Sequence, residues 1–213
     1  LLWKLDARKL SALRSDLSGA LAANGVITGT REAPRTTFIA DARGLGLAQK
    51  AGKANNSALH ASGEAWLAAG DINVKTSGTA RGVDPAAFGS PLAGSINGKF
   101  DANGRLGKDW SGTAGLVLDQ STLSNAPLWG HARLGGSAQR ISSADVDLHI
   151  GPNVIAAKGK FGAPSDRLDW RIDAPQLAVL GGDFGGVLRG SGTLSGTAQA
   201  PALTAALEGQ NVK

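Results

Sequence analysis

From Gly25 onward apolar residues recur at every second position, and no long stretch carries them at helical spacing. Successive side chains of an extended strand point to opposite faces, so this pattern specifies strands with one dry face and one wet face. Leu59, Ala61, Gly63, Ala65 and Leu67 form one such row; Ile72, Val74 and Thr76 form another, as do Ile96, Gly98, Phe100 and Ala102. Later, Ala114, Leu116 and Leu118 alternate with small or polar partners. Ala144, Val146, Leu148 and Ile150 alternate with Asp145, Asp147 and His149, and Leu168, Trp170 and Ile172 with Asp169, Arg171 and Asp173. Turn chemistry divides the rows at Asn24-Gly25, Ala69-Gly70-Asp71, Asn103-Gly104, Gly135-Gly136, Gly151-Pro-Asn153, Gly162 to Asp166 and Ala200-Pro201. Asn-Gly in particular suits tight hairpins. Strands of about seven to twelve residues are expected between these breaks. The segment Leu45 to Asn56 carries the least signal and is expected to be a loop.

The chain also repeats itself. At an offset of 167 positions, Leu1, Trp3, Asp6, Ala7, Leu10, Leu13, Asp16, Gly19, Leu21, Gly25, Gly29, Thr30, Ala33, Pro34 and Thr37 each meet an identical residue, with no gap. Such self-similarity marks a repeating architecture whose units bury surface against neighbours. Each copy reads as a strand ending in Asp-Ala, then a short helical patch (Leu10 to Leu17, Leu177 to Phe184), then glycine-spaced strands. A partial third echo runs from about 82 to 110, where Asp84-Pro-Ala-Ala-Phe88 replaces the helical patch. The organisation expected is therefore one repeat-built segment over 1–213, with partial repeats at about 1–47, 82–110 and 167–213. It starts in mid-strand and stops just after one, as an excised piece of a longer protein would.

Strands sharing an apolar face, with no second set of strands and no long amphipathic helix to cover it, must curl or fold on themselves. Glycines inside strands (Gly63, Gly78, Gly98, Gly159, Gly190, Gly192, Gly196) supply bends, bulges or close backbone approach. The fold class expected is all-β: an elongated, strongly curved antiparallel sheet, a U-shaped trough, with one or two short helical patches plugging its open side. Its groove would be lined by Leu59, Leu67, Ile72, Val74, Ile96, Phe100, Leu116, Leu118, Leu134, Val146, Leu148, Ile150, Trp170, Ile172, Leu188, Leu194, Leu203 and Leu207.

Other chemistry finds little support. Cysteine is absent, which removes disulfides, zinc thiolates and thiol catalysis. The net charge is +5, but the 22 basic residues are dispersed and interleaved with acids, whereas nucleic-acid binding wants a concentrated stripe. His60, His131 and His149 stand far apart with no ligand companion at short spacing, and read as solvent-facing strand residues. Ser57 and His60 lack a placed acid or oxyanion site. Asp145 and Asp147 share a solvated outer face, and Gly190-Ser-Gly192-Thr-Leu-Ser-Gly196 lacks the lysine and helix of a phosphate loop. No enzyme, metal or cofactor is expected.

Asp145-Val-Asp-Leu-His-Ile-Gly151-Pro-Asn153-Val-Ile-Ala-Ala-Lys-Gly159-Lys-Phe-Gly162, with Leu168-Asp-Trp-Arg-Ile-Asp-Ala-Pro175-Gln-Leu177 and Gly192-Thr-Leu-Ser-Gly196-Thr-Ala-Gln-Ala-Pro201-Ala-Leu203, resembles the periplasmic repeats of the TamB family, within the AsmA-like group. The resemblance implies a β-taco with an apolar interior, spanning the periplasm of a Gram-negative bacterium as part of a protein anchored in the inner membrane. It implies partnership with a TamA-like outer-membrane barrel, and roles in phospholipid transport and outer-membrane protein assembly. The occupants of the groove would then be phospholipid acyl chains or unfolded apolar strands. A strand-templating scaffold without lipid conduction, or another AsmA-like lipid bridge, is the alternative.

Overall fold

In a computed structural model, residues 1–48, 56–181 and 184–213 are described. They form two compact units, Leu1–Lys108 and Asp109–Lys213. The first holds β1 (Leu2–Ala7), β2 (Leu17–Gly29), β3 (Pro34–Leu47), β4 (Ala58–Ala68), β5 (Asp71–Val83) and β6 (Gly94–Leu106). The second holds β7 (Ser111–Leu123), β8 (Ala126–Ser137), β9 (Ile141–Ile150), β10 (Asn153–Phe161), β11 (Arg167–Ala174), β12 (Val187–Gly196) and β13 (Pro201–Gln210). Within each unit every strand pairs antiparallel with its sequence neighbours, and the sheet does not close on itself. The all-β, open antiparallel expectation holds.

Three turn assignments do not. Asn24-Gly25 and Asn103-Gly104 lie inside β2 and β6, and Gly135-Gly136 lies inside β8. The reversals that follow β2 and β8 come at 30–33 and 138–140, β6 runs on to Leu106, and strands reach 14 residues among the described ones. At position 25 the glycine serves a neighbour instead of a turn: a Cβ there would stand 2.7 Å from Nε1 of Trp3, whose ring lies across it. Leu45 to Leu47 likewise close β3; residues 49–55 of the expected loop lie outside the described ones.

The helical patches shrink to single 3-10 turns, Leu10–Ala12 and Leu177–Leu180, and a third turn spans Pro85–Phe88 at the echo. In the first turn the second leucine of the pair, Leu13, lies past the last turn residue. Leu10 is buried, whereas Leu13 is 66% exposed.

Between the two full repeats, several identical residues do the same structural work. β1, its 3-10 turn, β2 and β3 reappear as β11, its 3-10 turn, β12 and β13. Leu10 and Leu177 are the buried members of their turns. Gly19 and Gly186 take φ of 109° and 85°, Gly29 and Gly196 take 86° and 83°, values that suit glycine alone. The hydroxyls of Thr30 and Thr197 accept from the amides of Ala33 and Ala200, both at 3.2 Å. Trp170 lies across Gly192 as Trp3 lies across Gly25.

Candidate functional site

Register assigns each side chain to a face, because directly opposed residues share one. In the second unit three rows cross all seven strands of the sheet. They are Ala114–Leu134–Ala144–Gly159–Leu168–Leu194–Leu203, Leu116–Ala132–Val146–Ala157–Trp170–Gly192–Ala205 and Leu118–Gly130–Leu148–Ile155–Ile172–Gly190–Leu207. Not one position in these rows is polar. In the first unit Leu5–Ala23–Ala40–Ala61–Gly78–Phe100 crosses all six strands, and its neighbours are almost as apolar, with Thr36 and Thr76 as exceptions.

All the groove residues expected from sequence fall on these dry faces. Leu59, Leu67, Ile72, Val74, Ile96 and Phe100 share that of the first unit. Leu116, Leu118, Leu134, Val146, Leu148, Ile150, Trp170, Ile172, Leu188, Leu194, Leu203 and Leu207 share that of the second. Their exposure differs sharply along the strands. Leu118 and Ile150 are buried, with Leu128, Ala174 and Leu177, at the rim where the 3-10 turn folds in. At the other end of the strands, Ile72 is 51% exposed and Leu134, on an inner strand, 48% exposed. One rim of each dry face is therefore plugged and the other open.

Two polar anchors hold the plugs, and neither shows in the sequence. The amide of buried Asn153 donates to the Gln176 carbonyl (2.9 Å), and its oxygen accepts from the Gln176 N–H (3.0 Å). Asp84 accepts from Ala86 and Gly94 N–H, both at 3.0 Å. The open rim of the second unit has its own fastening. Arg140 donates twice to Asp166, at 2.9 and 2.8 Å, and Ala163 N–H adds a third bond. The Asp166 side chain is only 5% exposed, and the Arg140 guanidinium holds its carboxyl below the usual carboxylate range.

Several dry-face aromatic rings reach over glycines of the adjacent strand: Phe38 over Gly63, Phe100 over Gly78, Trp170 over Gly192 and Gly190. A Cβ at Gly78 or Gly192 would come within 2.7 Å of the ring. In-strand glycines thus serve close approach as well as bending. Near the open rim of the first unit the dry face dips into a depression of about 300 Å³. Ile27, Pro34, Thr36, Ala65, Leu67 and Ile72 line it from the dry side, and Arg35 and Trp66 complete its edge.

The outer faces are charged ladders. Arg133, Asp145, Lys158 and Asp169 oppose one another in register across four strands, an attractive alternation. Asp169 is held below its ordinary range first by Arg167 and then by the Thr193 hydroxyl. The three histidines belong here. His60 meets Asp41 at 2.9 Å and His131 meets Asp145 at 3.5 Å. His149 meets Asp147 at 2.9 Å but does not face solvent freely, because Trp129 stacks on it at 3.5 Å. Ser57 faces away from His60: it is buried, and its hydroxyl accepts from Leu45 N–H. Gly190 to Gly196 is strand β12. Among the described residues no group of three or more His, Asp or Glu gathers as a metal site, and no helix is long and apolar enough to cross a membrane.

Residues 46–213 match a family model described as TamB, N-terminal domain. No curated protein and no solved structure matches the chain.

Proposed function

The chain belongs to the TamB N-terminal domain family, and from that premise we propose that it is a periplasmic segment of a bridge between the inner and outer membranes, whose dry faces carry phospholipid acyl chains. The observation that supports this most is the set of three wholly apolar rows across the second unit, over which the described residues place only a 3-10 turn at one rim. Each methylene removed from water contributes about 0.8 kcal/mol, so an acyl chain on such a surface is held without polar recognition. A floor without polar groups gives it nothing to stick at, and movement along it is passive. Through the full-length protein this segment works with a TamA-like barrel and supports outer-membrane protein assembly. It needs no cofactor and catalyses no reaction.

The tryptophans report on this directly. Trp170 lies on the dry face and Trp129 on the outer one. With phosphatidylcholine carrying brominated acyl chains, quenching is expected for the emission lost in Trp170→Phe and not for that lost in Trp129→Phe. Equal quenching of both, or of neither, refutes acyl-chain binding at this face. Capture of unfolded apolar strands in place of lipid would make the segment an assembly scaffold.

A further inference from the structure

The outer face of the first unit carries a depression of its own, of about 400 Å³, on the opposite side of the sheet from the dry face. Two register rows build it across β3 to β6: Thr37–Glu64–Lys75–Asn103 and Ile39–Ser62–Ser77–Asp101. Ser62 and Ser77, directly opposed and short, form its floor, with Glu64, Lys75, Asp101 and Asn103 around them. Its size falls within the range of about 300–1,000 Å³ usual for ligand sites. Its polar groups are also free. Among the described residues, the side chains of Ser62, Lys75, Ser77, Asp101 and Asn103 make no hydrogen bond or ion pair within the chain. The outer face of the second unit differs: Asp145, Asp147, Asp169 and Asp173 each hold a guanidinium or an imidazole. The depression there is walled by Arg171 and Arg189, already tied to Asp173 at 3.0 and 3.2 Å.

Charge narrows the ligand. Arg35 balances Glu64 at 3.3 Å, and Lys75 offsets Asp101, so the depression is neutral. A phosphate would meet one ammonium beside a carboxylate, and an apolar ligand would strip water from groups it cannot bond. What fits is a neutral molecule dense in donors and acceptors. Sugar hydroxyls, like those of the serines, both donate and accept. An acetamido group adds one N–H and one C=O; Asp101 can only accept and Lys75 can only donate. Trp66, two residues from Glu64 on the same face, sets an apolar ring beside them for the C–H side of a sugar. From this combination we infer that the outer face of the first unit seats a segment of an amino-sugar glycan. Asp101 takes the acetamido N–H, Lys75 gives to its carbonyl, and Ser62 and Ser77 bond the hydroxyls. The inference rests on the periplasmic placement above, which puts such a glycan, that of the cell wall, within reach. It sets wall on one side of the sheet and lipid on the other.

The 213-residue chain is titrated with the N-acetylglucosamine tetramer, maltotetraose and inorganic phosphate, following backbone amides by heteronuclear NMR. The amino-sugar oligomer is expected to shift the amides of Ser62, Gly63, Ser77 and Ala102 and to leave those of β11 to β13 in place. Maltotetraose should need about tenfold more for the same shift, and phosphate should give none. Asp101→Ala and Lys75→Ala each weaken binding about three- to tenfold. Ser77→Leu, which fills the floor, abolishes it; all three positions are exposed, and thermal melts establish that the variants fold. No shift at these amides, an equal response to maltotetraose, a response to phosphate, or binding that survives Ser77→Leu overturns the glycan seat. Quenching of Trp170 by brominated phosphatidylcholine is read on the same protein. Its loss defeats lipid carriage and leaves a responding seat standing; its persistence beside a silent outer face defeats the seat alone.

Discussion

Leu116 and Val117 are neighbours in β7 and face opposite ways. Leu116 shares its row with Val146 and Trp170; Val117 opposes His131 on the outer face and is 51% exposed. Replacing each with Asp applies one chemical change to the two faces at adjacent positions. Leu116 is half-buried, so its loss costs the fold about 1–1.5 kcal/mol, half of what full burial contributes. The effect on lipid is larger. About two or three methylenes lie against one such side chain, worth roughly 2 kcal/mol at 0.8 kcal/mol each. A carboxylate beneath the acyl chain adds a desolvation cost of about 1–3 kcal/mol. Together these weaken binding by about a hundredfold or more, since each 1.4 kcal/mol is tenfold. Val117→Asp should shift stability by no more than about 0.5 kcal/mol and leave binding intact. Circular dichroism and thermal melts establish that both variants fold, and brominated phosphatidylcholine reads binding at Trp170. A folded Leu116→Asp protein with undiminished capture refutes the assignment of function to this face. So does equal loss in Val117→Asp.

Two further outcomes concern the fold that presents the face. Gly192→Ala places a Cβ 2.7 Å from the Trp170 ring and against the Thr204 carbonyl, and should cost about 2–3 kcal/mol by denaturant titration. Gly185→Ala, whose nearest atoms stand 3.8 Å away on Lys213, should change stability by less than about 0.5 kcal/mol, and a similar cost at both sites would discredit the ring-on-glycine account. The Arg140–Asp166 pair gives a pH signature. Asp166 has a depressed carboxyl pKa in the folded chain, so its contribution is full above the unfolded value of about 4 and fades as pH falls below it. Asp166→Asn should therefore destabilise at pH 7 and converge with the parent toward pH 3; a gap that persists in acid would contradict this.

How far the sequence discloses this molecule depends on the range of each interaction. Alternation is local, and Val146, Leu148, Trp170 and Ile172 fall on the faces that their spacing foretells. The repeat is equally legible, since Gly29 and Gly196, or Thr30 and Thr197, do the same work in the same turn. Asn24-Gly25 misleads because glycine has two uses. Its hairpin value is a property of the dipeptide, whereas its value at position 25 comes from Trp3 on another strand. Asn153 and Arg140 were hidden for the same reason. Their partners, Gln176 and Asp166, stand 23 and 26 residues away on other turns, and no spacing rule connects them. The groove set was legible as a face, but not its division into plugged and open rims, because that depends on where a 3-10 turn folds back.

A sheet with one face largely uncovered needs cohesion from elsewhere. A sandwich obtains it from a second sheet; here the attachments run within the sheet or along its rims. Backbone ladders join neighbours, alternating charges such as Arg133, Asp145, Lys158 and Asp169 tie the outer surface, and Arg140–Asp166 fastens two turns. On the dry side Trp3, Phe38, Phe100 and Trp170 each approach a glycine next door, where the ring contributes packing along the sheet. Glycine is usually a cost inside a strand. On this face it is what lets an aromatic side chain strengthen the sheet, so the residue that looks weakest in the sequence is one that adds to its cohesion.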